Sequence, residues 1–314
     1  MSSIVASIII PTYNASRYIK PCIESVITQD EKNIEILVVD DGSTDDTIDI
    51  LNEYAFKDAR IRIFRQEHQN AGAARNLGIH NAQGEYLFFL DADDFFEKDL
   101  VSSSVRRCRE TGADLCVYKI KQYYDDTQKI EPASFAFVEK NFPKKQVFTA
   151  RDMPKNIFNS FMNWAWNKCF RADFIKSNNI RFQEILKTND FYFVAVCLLS
   201  AKITVLRNEL VYYRKNTGIS TQDTNDKAPC DFLKAFDAVQ KYMEKCNIYQ
   251  LYKESFIRHK VGGIVYNLRS LKTRQAFMRL FYNIKSNHNH CDFIKNTNIF
   301  NMLNGGGSTR IFFC

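Results

Sequence analysis

The chain has 314 residues, 45% hydrophobic and 14% aromatic, with a formal net charge of +7. That composition buries a sizeable core and excludes global disorder. No stretch approaches the roughly 20 consecutive apolar residues of a membrane-spanning helix.

The chain opens on the apolar run Ile4 to Ile10, without the basic and then apolar layout of a leader. Nine scattered cysteines form no Cys-x-x-Cys pair and have no histidine at zinc spacing. They are expected as reduced core thiols of a cytoplasmic protein.

Val5–Ile10 is continuous and β-branched, as a strand covered on both faces should be, and Pro11 is expected to end it. Ser16–Thr28 has Ile19, Ile23, Val26 and Ile27 at helical spacing. Ile34–Val39 predicts a second strand, and Asp40-Asp41-Gly42-Ser43-Thr44-Asp45 supplies a turn and helix caps for a helix running to Tyr54. Ile61–Arg65 predicts a strand, Ala71–Asn81 a helix, Tyr86–Leu90 a strand, Lys98–Glu110 a helix and Asp114–Lys119 a strand. This alternation implies right-handed crossovers and an α/β fold with a mainly parallel sheet flanked by helices.

Beyond this, Gln122–Gln146 reads as a long loop or irregular hairpin, suited to an active-site flap. A helix is expected from Thr149 or Asp152 towards Phe161, an extended stretch over Asn163–Phe170, and a helix over Arg171–Asn178 with a left-handed exit at Asn178-Asn179. Thr188–Ser200 predicts a helix, Ile203–Leu206 and Leu210–Arg214 two strands, and the period from Asp226 to Lys285 is helical. Gly305-Gly306-Gly307-Ser308 is flexible by composition.

The most informative run is Leu87-Phe88-Phe89-Leu90-Asp91-Ala92-Asp93-Asp94, an apolar strand driving into three carboxylates. Unpaired carboxylates are costly to bury, so they belong just past the strand's carboxyl end with a cation to neutralise them. Mg²⁺ or Mn²⁺ suits carboxylates combined with phosphates and water. Strand ends are also where open α/β sheets bind ligands. Pro11-Thr12-Tyr13-Asn14 and Asp40-Asp41-Gly42-Ser43 end two further strands on the same edge.

The set suits a nucleoside diphosphate, with Tyr13 stacking on a base, Asp41 accepting a base N–H, and Asp91 and Asp93 near the ribose and a metal. Arg75, in a helix opened by Asn70-Ala71-Gly72, can face phosphate or sugar oxygens, or be an ordinary surface ion pair. Taken alone, Ser43 to Asp46 read as helix caps, and Asp94 either assists Asp93 or, the favoured reading, caps the next helix.

Four motifs in order carry a resemblance: Ser7-Ile8-Ile9-Ile10-Pro11-Thr12-Tyr13-Asn14, Val38-Val39-Asp40-Asp41-Gly42-Ser43-Thr44-Asp45, Gly72-Ala73-Ala74-Arg75-Asn76-Leu77-Gly78-Ile79 and Asp91-Ala92-Asp93-Asp94. Together they resemble the family 2 glycosyltransferases of the GT-A fold. The resemblance implies a UDP-sugar donor, a Mn²⁺ or Mg²⁺ ion, and transfer with inversion to a saccharide or lipid-linked saccharide acceptor. It assigns the base to Pro11, Tyr13 and Asp41 with Thr12 and Asn14 in the same loop, the ribose side to Asp91 beside Ala92, and the metal to Asp93.

The family's general base lies in a Glu-Asp pair opening a helix. Here Asn189 replaces the glutamate and Asp190 matches the aspartate, with Glu184 as understudy. Asp190 is also placed where a helix N-terminus favours an acid. Trp164 and Trp166 are expected on opposite faces of an extended stretch, Trp164 stacking on an acceptor sugar. Tyr213 to Ser220 resembles the closing segment, with Asn216 at a position often polar or histidine, and Arg214 or Lys215 supplying charge. His288 and His290 are not expected to bind metal.

The resemblance divides the chain into a glycosyltransferase domain over 1–220, split at 120 into nucleotide-sugar and acceptor halves, a helical extension over 221–290, and a flexible tail over 291–314. The basic run from Arg258 to Lys285 reads as solvated helix faces or as peripheral contact with anionic lipid on the inner membrane face. No recognition motif points to nucleic acid. The oligomeric state is open, a homo-oligomer included.

By analogy the role is synthesis of surface polysaccharide or lipooligosaccharide. A sugar nucleotidyltransferase and a receiver-like signalling domain stay open, although the first lacks its glycine-rich basic loop and the second leaves most of the chain unexplained. A dinucleotide oxidoreductase would need a Gly-x-Gly-x-x-Gly after the first strand.

Overall fold

A computed structural model describes residues 4–215 and 225–286. In chain order the elements are β1 (Ala6–Thr12), α1 (Ile19–Ile27), β2 (Ile34–Asp40), α2 (Thr47–Lys57), β3 (Ile61–Arg65), α3 (Ala71–Asn81), β4 (Tyr86–Phe89), β5 (Phe95–Phe96), α4 (Leu100–Thr111), β6 (Leu115–Tyr124), β7 (Lys129–Pro132), β8 (Lys168–Arg171), α5 (Ala172–Ser177), α6 (Asn189–Ser200), β9 (Ile203–Lys215), α7 (Asp231–Lys245), α8 (Tyr249–Ser270) and α9 (Arg274–Ser286).

One sheet runs in the order β3-β2-β1-β4-β8-β6-β9-β5, with β7 beside β6. The half made of β3, β2, β1 and β4 is wholly parallel. β8 enters antiparallel between β4 and β6, and β9 returns parallel to β6. The architecture is the mixed α/β, GT-A type with a C-terminal helical region. Its core is the strand side chains: Ile8 to Ile10, Ile36 to Val39 and Tyr86 to Leu90 are all fully buried. Continuous apolar strands of this kind need cover on both faces, which the helices supply.

Several expectations change in detail. β1 does not stop before Pro11, which pairs with Val39. β4 follows β1 only as far as Ile9, so beyond it one flank of β1 is open and a residue without an N–H is tolerated. The expected helix from Thr149 to Phe161 is two 3-10 turns, Ala150–Asp152 and Ile157–Asn159. Pro154 between them cannot donate within a continuous helix.

The two strands around Ile203–Arg214 are one, with a register shift where Leu206 pairs with Tyr118 and Glu209 with Lys119. That irregularity absorbs the polar Arg207-Asn208. The Gln122–Gln146 stretch begins as a hairpin, Lys121 to Tyr124 pairing Lys129 to Pro132. Asn179 takes the left-handed exit after α5, at φ 49°.

Among the described cysteines, Cys22, Cys108, Cys116, Cys169 and Cys197 are buried. The basic run is not one solvated face, because Lys260 is 2% exposed and reaches Asp237 at 3.4 Å. No described helix is long and apolar enough to cross a membrane. Asn216, His288, His290 and the expected tail over 291–314 lie outside the described residues.

Candidate active site

Parallel pairing aligns Thr12 with Asp40 and Ile9 with Phe89, so the carboxyl ends of β1, β2 and β4 form one edge. The first two loops are tied together at once. Asp41 N–H donates to the Thr12 carbonyl at 2.8 Å. Asn14, at φ 47°, donates its N–H to Ser43 Oγ at 2.9 Å and accepts the Thr44 N–H at 2.8 Å. Asp45 accepts from both Ser16 N–H and Thr47 N–H at 3.1 Å, which ties the first residue of α2 to the neighbouring loop, while Asp46 at the N-cap makes no side-chain capping bond. Gly42, at φ +82°, makes the turn that L side chains resist. Thr12 is buried, and its Oγ1 has no partner.

Asp41 is buried and accepts Gln66 Nε2 at 2.6 Å and Gln69 N–H at 2.9 Å, with His68 Nδ1 at 3.0 Å. The His68 ring stacks on Tyr13 at 4.1 Å between centroids, 25° from parallel. Tyr13 remains 47% exposed, so it can present a flat surface to a ligand. Gln66, His68 and Gln69 were missed in the sequence because no motif marks them. The available signal was position: β3 is parallel to β2, with Arg65 level with Asp40, so the residues after Arg65 join the same edge.

The acid loop closes tightly. One carboxylate oxygen each from Asp91, Asp93 and Asp94 lies within 4.8 Å of the others. Asp94 does not cap the next helix, since α4 begins at Leu100 behind Asp99. It is 1% exposed, Oδ1 accepts the Arg214 N–H at 2.8 Å, and Oδ2 is buried with no partner.

Loss of water pushes the Asp91 carboxyl up to about 6, with Asp93 and Asp190 adding to the effect and Arg75 opposing it. Burial also raises Asp93, and raises Asp94 strongly with help from the charges of Asp93 and Asp91. An all-oxygen donor set, crowded like charges and an orphaned oxygen fit a hard divalent cation. Arg214 holds this loop from beneath, Nε donating to the Asp93 carbonyl at 2.8 Å and its guanidinium pairing with Asp125. Its stacking rings are Tyr18, Phe95 and Tyr123. Lys215 lies over the Tyr213 ring.

Arg75 is 5% exposed, so the ordinary surface pair is excluded. Its guanidinium bonds Asp91 at 2.7 Å, Asp190 at 2.6 Å and Asn189 Oδ1 at 2.9 Å. The helix carrying it is pressed against the segment before α6: a Cβ on Gly72 would sit 2.1 Å from the Gln183 carbonyl. Asn76 exchanges two bonds with the Phe182 backbone, at 2.9 and 3.0 Å.

Asp190 is the second residue of α6, and its other oxygen accepts the Ala165 N–H at 3.1 Å. Glu184 is exposed and lies 3.4 Å from Asn76 Nδ2, apart from this network. Trp164 and Trp166 are not on opposite faces. Their rings stack at 4.7 Å and 15°, and Tyr213 stacks on Trp166 at 5.2 Å. The alternation rule fails because β8 starts only at Lys168 and bends precede it. Trp166 is 3% exposed, while Trp164 is half-buried with Phe135 against its edge.

A profile described as glycosyl transferase family 2 matches residues 7–178. EpsH of Bacillus subtilis (strain 168), named as a glycosyltransferase, is 29% identical over 81% of this chain and 73% of its own length. The glycosyltransferase GlyA of Streptococcus pneumoniae serotype 4 is 33% identical over 68% of this chain but only 31% of its own length. Among solved structures, S. aureus TarS 1-349 in complex with UDP-GlcNAc superposes with a TM-score of 0.67 at 22% identity, covering 85% of this chain and 82% of that one. An α/β sheet with an acid cluster at its strand ends and this profile define a sugar-transferring enzyme. The chain belongs to glycosyltransferase family 2, and the nucleotidyltransferase and receiver alternatives fall with that membership.

Proposed function

We propose that the protein transfers a sugar from a UDP-sugar to a hydroxyl of a saccharide or lipid-linked saccharide, with inversion and with a divalent metal. One observation carries the reading: the Asp91–Asp93–Asp94 cluster and Asp190 belong to one network, joined by Arg75. TarS, the structural neighbour, has been crystallised with UDP and with UDP-GlcNAc, which supports the nucleotide class.

In this reading Tyr13, backed by His68, stacks on the base, while Asp41 and the Pro11–Asn14 loop frame it. Asp91, beside Ala92, serves the ribose side, and Asp93 with Asp94 would hold Mn²⁺ or Mg²⁺. Such an ion supplies neutralisation of the diphosphate that leaves. Asp190 takes the proton of the attacking hydroxyl, help worth ~10²–10⁴ in rate. Trp164 offers its ring to the acceptor sugar. Residues 1–120 form the nucleotide-sugar half and 121–220 the acceptor half.

Exposed Tyr266 and Tyr282 among Arg258, Arg269 and Arg279 support peripheral contact with anionic lipid, read by vesicle co-sedimentation. The central test is release of UDP from UDP-glucose, UDP-galactose and their N-acetylated forms with Mn²⁺, with and without saccharide acceptors. Turnover of one donor is expected. Absence of both binding and turnover for all of them would refute the reading.

A further inference from the structure

Lys168, the first residue of β8, is fully buried. Its Nζ donates to the Met162 carbonyl at 2.8 Å, the Trp164 carbonyl at 2.6 Å and Asn167 Oδ1 at 2.6 Å. All three partners are neutral oxygens. Three acceptors use three N–H donors, which only the ammonium form possesses. A buried charge held this way is costly and calls for a reason beyond filling space. Burial pulls the pKa of Lys168 down to about 7, and the charge of Asp190 works against that fall.

The reason lies in one peptide group. The Trp164 carbonyl that accepts from Lys168 and the Ala165 N–H that donates to Asp190 Oδ2 at 3.1 Å are its two ends. A positive group at the oxygen and a negative group at the N–H polarise that peptide in the same sense, so each bond strengthens the other. The surrounding backbone is clamped as well, since Tyr118 Oη lies 3.1 Å from the Trp166 carbonyl and 3.3 Å from that of Lys168. Arg75 fixes one oxygen of Asp190, and this relay fixes the other.

We propose that Lys168 is a positioning residue, whose ammonium acts through the Trp164–Ala165 peptide to set both the Asp190 carboxylate and the Trp164 ring for the acceptor. This rests on the reading of Asp190 as the base. Lys168 itself touches neither substrate nor reacting atoms.

The test is Lys168→Met, which keeps the length of the side chain and removes its donors. The expected result is a fall of at least tenfold in kcat/KM for the acceptor, with UDP-sugar affinity within twofold of wild type. Lys168→Arg, retaining charge and donors, should recover at least a third of the wild-type value. Acceptor kcat/KM within threefold of wild type in Lys168→Met, or a parallel loss of donor affinity, overturns the proposal. Should the methionine variant not fold, Lys168→Gln, neutral but able to donate, is read by the same two numbers. Wild-type protein that binds no sugar nucleotide would overturn the reading of the site itself, and this inference with it.

Discussion

Arg75 reaches Asp190, 115 residues further along the chain, at 2.6 Å. The same guanidinium holds Asp91 at 2.7 Å, so one side chain sets the spacing between the metal-type cluster and the candidate base. Removing it leaves two carboxylates, partly out of water, without their cation. Arg75→Met should therefore lose ~3–5 kcal/mol of stability, a figure for breaking buried pairs. Thermal unfolding checks this, and a variant as stable as wild type would show the pair to be dispensable.

Asp190→Asn keeps the shape of the side chain and removes its basicity. Turnover should fall by ~10²–10⁴ while UDP-sugar binding stays near wild type, compared by steady-state rates and calorimetry. Wild-type-like turnover would remove Asp190 as the base.

Asp93→Ala and Asp94→Asn should each weaken Mn²⁺-dependent UDP binding at least about tenfold, since each removes or neutralises a hard oxygen donor from a small set. Calorimetry with Mn²⁺ and then with excess chelator separates the metal-dependent part. An unchanged affinity in Asp94→Asn would confine that residue to its bond with the Arg214 N–H.

Gly72→Ala places a methyl group 2.1 Å from the Gln183 carbonyl, where backbone must move. Overpacking of this kind costs about 1–3 kcal/mol. Because the displaced helix carries Arg75, kcat should fall along with the melting temperature. A melting temperature equal to wild type would show that the two segments separate freely.

His259 packs among Phe158, Phe191 and Phe236, and burial pushes its pKa from 6.5 down to about 4. Between those values the unfolded chain binds a proton that the folded one refuses. Its contribution to stability is therefore present above pH 6.5 and is lost as pH falls towards 4. Melting curves of wild type and His259→Gln over that range should converge as pH falls. Parallel curves would show that His259 titrates normally.

The sequence carried elements whose cause is local. Ile61–Arg65 and Ala71–Asn81 match the structure residue for residue, since β-branching, capping by Asn70 and apolar spacing act within a few positions. The three loops of the edge were equally legible, each being a polar cluster directly after a buried strand. Legibility failed where a bend in the chain or packing between distant segments decides. The Trp164–Trp166 stack contradicts strict alternation, Asp94 turns inward to the Arg214 backbone rather than capping a helix, and His68 backs Tyr13 without any motif.

The strands of the parallel half and the chemistry at their ends were thus written in neighbouring residues, through side-chain shape and the cost of burying charge. Which carboxylate faces which cation was not. Arg75 with Asp190, and Asp190 with the Ala165 N–H, meet only after the sheet has closed. Hydrogen bonds between remote groups depend on distances that the packed core alone establishes.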